Sequence, residues 1–92
     1  SMETLGHIIK DCLKELGIEK PVKRYEAMEI WDQVVGGKVA EVTEPIRIAD
    51  GKMFVKVKND TWRNELTYHK QKIVRKINKK IGIRVIDDII LI

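Results

Sequence analysis

Leu5, Ile8, Ile9, Cys12, Leu13 and Leu16 recur at steps of three and four, which places apolar side chains along one face of a helix. This predicts a first helix within residues 1–20, closed by Gly17, with Pro21 opening the next element. A second helical pattern covers 22–35, with Met28, Trp31, Val34 and Val35 as its buried stripe. Gly36 and Gly37 break or bend it, and Val39, Ala40 and Val42 continue it for a turn. The period then changes from 3.6 to two. Ile46 and Ile48 alternate with Arg47 and Ala49, and Met53, Val55 and Val57 alternate with Phe54, Lys56 and Lys58. Asp50-Gly51 between these runs is the signal for a type I′ hairpin. Asn59 or Asp60 then caps a long third helix through about Lys80, its stripe being Trp62, Leu66, Ile73, Ile77 and Ile81. Gly82 ends that helix, and the β-branched run 83–92 reads as a last strand. The predicted fold is α+β in two layers, helices packed on a three-stranded sheet with a ββαβ core.

A chain of 92 residues with 43% hydrophobic and 35% charged positions makes a single domain, 1–92, around a small core. No run approaches the roughly 18 apolar residues that span a bilayer, and His7, Lys10 and Asp11 interrupt any signal-peptide core. The lone Cys12 excludes an internal disulfide and fits a reducing compartment, and its place on an apolar stripe predicts a small core residue. A cytoplasmic domain without membrane contact is expected. Ser1 before Met2 reads as a tag-cleavage scar.

Charge changes this picture more than composition does. Residues 62–84 hold eight basic side chains against Glu65 alone, a net +7, while the rest of the chain carries a net −3. On a continuous third helix, Lys72, Arg75, Lys76 and Lys79 fall within roughly 100° of arc, opposite the apolar stripe, and Tyr68 projects among them. Four cations and an aromatic along two turns suit successive phosphates and one stacked base. Lys70 and Lys80 lie at the periphery, and Lys56 and Lys58 extend the surface across the sheet. The plainer alternative is a solvated face with Tyr68 incidental. Phe54, on the polar parity of its strand beside Arg47, Lys56 and Lys58, is either a stacking platform or an aromatic covered by a helix or a partner chain. The covered reading is the stronger of the two. Trp31 and Trp62 lie on apolar stripes and belong to the core.

No catalytic constellation is visible. His7 and His69 stand apart, no spacing suits a metal, and Gly36-Gly37-Lys38 is too short for a phosphate loop. The expectation is a non-enzyme that needs no cofactor.

The order of motifs is similar to a known family: Trp31-Asp32-Gln33-Val34-Val35-Gly36, Thr43-Glu44-Pro45, Asp50-Gly51 with its alternating strand, Trp62-Arg63-x-Glu65-Leu66, then Ile77-Asn78 and Gly82. Over residues 25–92 this resembles the DUF721 family, the DciA-like proteins of bacteria. The resemblance implies a KH-like domain, here without a G-x-x-G loop, and a part in chromosome replication. It also implies binding to DNA, single-stranded or forked with little sequence preference, and to a DnaB-type replicative helicase. The first helix, with Glu3, Asp11, Glu15 and Glu19 facing out, is then the candidate protein-facing surface. Two other readings stay open: an RNA-binding KH-like module, and a domain that binds only protein.

Overall fold

In the computed structural model, which describes residues 2–92 and their side chains from Thr4 onward, Asp50 and Gly51 both take positive φ, 52° and 75°. That is what a type I′ turn demands, and Asp-Gly meets it at little steric cost. The turn joins β1 (Thr43–Ala49) to β2 (Lys52–Val57) as an antiparallel pair. The last strand, β3 (Asp88–Leu91), runs parallel to β2, so the mixed sheet has the order β1-β2-β3. Six helices complete the described chain: α1 (Met2–Glu15), α2 (Glu19–Glu29), α3 (Trp31–Val35), α4 (Gly37–Val42), α5 (Asp60–Thr67) and α6 (Lys70–Ile81). The α+β, two-layer architecture is therefore as predicted.

The core lies between the sheet and helices α2 to α6. Met53, Val55, Val57 and Ile89 point into it from the strands, against Ala27, Trp31, Leu66, Ile73, Val74, Ile77 and Ile81 from the helices. Two polar side chains lock its edges. Trp31 Nε1 donates to Thr43 Oγ1 at 2.8 Å, and that hydroxyl donates to the Val39 carbonyl at 2.6 Å, tying α3, α4 and β1 together. Asn78 Oδ1 accepts from the backbone N–H of Val85 and Ile86 at 3.0 and 3.1 Å, and Asn78 Nδ2 donates to the Ile86 carbonyl at 2.9 Å. The segment after α6 is thus bonded to the helix rather than to the sheet. For this reason β3 is shorter than the predicted 83–92.

Three further expectations are corrected. The 22–35 helix is two helices, with Ile30 at φ −87° and ψ −1° between them; the break that the sequence predicts at Gly36 is present, at φ 84° and ψ 167°, a region open almost only to glycine. The long third helix is also two. Thr67 Oγ1 donates to the Arg63 carbonyl at 2.9 Å, a back-bond that loosens and bends helices, and the next two N–H groups reach back only three residues. Cys12 is exposed rather than buried, and so are Leu5, Ile8, Ile9 and Leu16: α1 packs chiefly on α2, and no described core residue comes from it. Phe54 is half-buried and lies outside the core. It faces outward opposite Arg47, whose guanidinium sits 4.1 Å from the ring centroid. In addition, a register shift between Pro45 and Arg47 breaks the alternation of β1 and leaves Ile46 exposed. Ser1 and the side chain of Glu3, to which two expectations apply, lie outside the described residues.

Candidate nucleic-acid interface

Helix α6 buries Ile73, Val74, Ile77 and Ile81 against α2, α3 and β3, which fixes its rotation. Lys72, Arg75, Lys76 and Lys79 consequently face solvent over the two middle turns, with Lys80 at their edge. All five are exposed, and Lys70 at the first turn is half-buried. Because these six cations share one uninterrupted helix, the break before it does not disperse them. Tyr68 is 76% exposed and stands in the turn, one helical turn ahead of Lys72. Its backbone remains right-handed at φ −76° and ψ −13°.

The electrostatics of this helix are unfavourable for the chain alone. Lys72 with Arg75 and Lys76, Arg75 with Lys79, and Lys76 with Lys79 and Lys80 are like-charge neighbours three or four residues apart. Each such pair costs about 0.2–0.5 kcal/mol. The first turn has no acidic residue, and Lys70 and Lys72 stand at the positive end of the helix dipole; only Lys79 and Lys80 sit where a cation favours the helix. Among the described residues, none of these six cations enters an ion pair. Glu65 lies 3.4 Å from His69 Nε2, and Asp60 pairs with Arg63.

Lys56 and Lys58 are not brought to this stripe. Lys56 projects from the outer face of the sheet, opposite Glu44 in the register, on the side of the molecule away from α6. Both lysines line a hollow with Glu41 and Glu44, which offset their charge. Arg47, Phe54 and Ile90 form the neighbouring row on that same uncovered face.

The stripe borders a feature that periodicity alone does not reveal. Between α6 and the α3–α4 corner runs a shallow groove of about 160 Å³ whose floor is Val34, Val35, Val39 and Ile73 and whose rim carries Lys72 and Lys76. Toward the C-terminal end of α6, Gln33 and Val34 lie beside Lys76, Lys79 and Lys80 in a second hollow. Val34 and Val35 read as core positions in the sequence. Only the packing of α3 on α6 shows that they also floor a groove beside lysines. An apolar floor with a cationic rim is suited to a base laid flat while its phosphate meets an ammonium group.

No helix among the described residues is long and apolar enough to cross a membrane, and none of their His, Cys, Asp and Glu side chains cluster in groups of three or more able to hold a metal ion. The sequence is matched by the family model described as Dna[CI] antecedent, DciA, over residues 4–91. A curated relative, a UPF0232 protein of Corynebacterium glutamicum (strain R), is 25% identical over 87 residues, covering 95% of this chain and 49% of that protein. The chain thus spans about half the length of the relative it matches. The resemblance carried by Trp31, Thr43, Arg63, Asn78 and Gly82 holds from α1 to β3, and the chain belongs to the DciA family.

Proposed function

We propose that this chain is a DNA-binding adaptor without catalytic activity, one that helps a DnaB-type replicative helicase engage DNA. The observation that carries the DNA half of this reading is the set of exposed, unpaired cations on α6, held together against their mutual repulsion. A polyanion relieves that repulsion and releases its own counterions, so binding is favourable with little dependence on sequence. Tyr68, Lys72, Arg75, Lys76 and Lys79 form the centre of the surface, with Lys70 and Lys80 at its ends.

Titrating fluorescent single-stranded, duplex and forked DNA at two salt concentrations tests this. With four phosphates neutralised, the log–log salt slope on single strands is expected to be about −3. A slope near zero, or matched RNA strands displacing DNA at much lower concentration, would overturn it.

The helicase half rests on family membership and on α1. Leu5, Ile8 and Ile9 are each more than half exposed, and Leu16 is 70% exposed. They form one apolar face bordered by Asp11 and Glu15, a surface suited to a groove with basic edges on a protein partner. The double variant Leu5→Ser/Ile9→Ser should keep the thermal midpoint and the DNA titration of the parent, because α1 contributes no described core residue. Retention of a DnaB-type helicase on the immobilised protein should fall at least tenfold. Unchanged retention would remove α1 from the helicase-facing surface.

A further inference from the structure

Two of the basic residues outside α6 come from a part of the sequence with no net positive charge, and the fold places them beside the segment that follows α6. Lys20 and Arg24 on α2 face the segment that follows α6, across a cleft of about 370 Å³ that also takes in Arg84 and the Asp50-Gly51 turn. Ile83, Arg84 and Val85 follow the last turn of α6 after Gly82, so this cleft lies just beyond the C-terminal end of that helix.

The charges in the cleft are not equivalent. Arg84 is satisfied by Asp87, its Nε lying 2.7 Å from Oδ1. Arg24 is half-buried, yet among the described residues it has neither an ion pair nor a side-chain hydrogen bond, and Lys20 has none either. The neighbouring Lys23–Glu26 pair, at 3.4 Å, leaves both untouched. Asp50 stands exposed on the rim and bonds to neither cation. A guanidinium with no acceptor on the protein is free to take one from an anion, and its planar fork matches two oxygens of one phosphate.

We infer that this cleft is a second phosphate subsite, in which Arg24 and Lys20 hold one phosphodiester of the strand that has passed along α6. The inference rests on the DNA-binding reading above and adds to it a footprint longer than the helix. Twelve residues make α6 about 18 Å long, which six stacked nucleotides at about 3.4 Å each already cover. A six-nucleotide strand therefore reaches α6 alone, and a twenty-nucleotide strand reaches the cleft as well.

The test compares the native chain with Lys20→Gln/Arg24→Gln, both titrated with fluorescent single strands of these two lengths over a series of salt concentrations. Arg84 is left intact to preserve its pair with Asp87, and thermal melting checks the fold. On the long strand the variant should bind about five- to tenfold more weakly, with a log–log slope shallower by about 0.7 for the lost phosphate. On the short strand the two proteins should be equal. Equal affinities on the long strand, or the same loss on both lengths, would overturn the subsite while leaving α6 as the interface. Absence of binding by the native chain at either length would overturn the DNA-binding reading and the subsite together.

Discussion

Reversing three charges on α6, Lys72→Glu, Arg75→Glu and Lys79→Glu, is expected to weaken binding to single-stranded and forked DNA on the order of 100-fold at about 50 mM salt. Four neutralised phosphates give a slope near −3, and the native affinity should itself fall about fifty-fold between 50 and 200 mM salt. Removing three of those contacts leaves a slope near −1, and the three new carboxylates add repulsion to every approach of the strand. The fold should survive, since the three side chains are exposed and outside the core. The variant relieves some of the strain on the helix: a carboxylate in place of Lys72 stands at the positive end of the dipole and four residues before Lys76, the favoured orientation for an ion pair. Against this, new like-charge neighbours form at positions 72, 75 and 79, so the thermal midpoint should move by only a few degrees. Helicase retention, assigned to α1, should be unchanged. If DNA affinity is unchanged while the fold is intact, the basic stripe is a solvated face and the chain is a protein-interaction domain.

The elements visible in the sequence are those whose local chemistry has one solution. Asp50-Gly51 fits a turn that needs positive φ twice, and the parity of Met53, Val55 and Val57 fixes which face of β2 is buried. The basic stripe was legible for the same reason, since Ile73, Ile77 and Ile81 set the rotation of α6 and the lysines follow from it. The division between α5 and α6 was hidden. Leu66 and Ile73 are seven apart, in phase with an unbroken helix, and neither glycine nor proline marks the turn; the Thr67 back-bond that accompanies it exists only in the folded geometry. The exposure of α1 was equally hidden, because periodicity reports that a helix has an apolar face and says nothing of whether the same chain covers it. The cleft at Lys20 and Arg24 depends on long-range packing between α2 and the segment after α6, which no local pattern records.

The residues that carry the family resemblance mostly hold the scaffold rather than touch a ligand. Asn78 fastens the chain after α6, Asn59 Oδ1 accepts from the Trp62 N–H at the start of α5, and Arg63 Nη2 donates to the carbonyls of Val57 and Ile92 at 3.3 and 3.4 Å. The stripe that faces solvent is built on this frame and can vary in its individual lysines without disturbing it. The family motifs and the basic stripe therefore draw on different residues here.

Trp31→Ala should be the most destabilising single change in that frame. The indole is 1% exposed at the junction of α3, α4 and β1, and its Nε1 is the donor to Thr43. Truncation loses the transfer energy of the ring and leaves a cavity that the short helices around it can only partly close, about 3–5 kcal/mol in all. A 92-residue domain has roughly 5–14 kcal/mol to lose, so the variant should unfold at a urea midpoint lower by about 2–4 M. Trp31→Phe keeps most of the buried surface and gives up the indole hydrogen bond, for a loss of about 1–2 kcal/mol. The Thr43 hydroxyl retains its bond to the Val39 carbonyl, so no buried donor is stranded by the milder change. Because α6 keeps its own contacts with α2 and β3, the phenylalanine variant should bind DNA as the native chain does. A loss below about 1 kcal/mol for Trp31→Ala would mean that the indole does not fill the core. Weakened DNA binding by a well-folded Trp31→Phe would instead mean that the indole holds the Val34, Val35 and Val39 groove floor in the shape that binding needs.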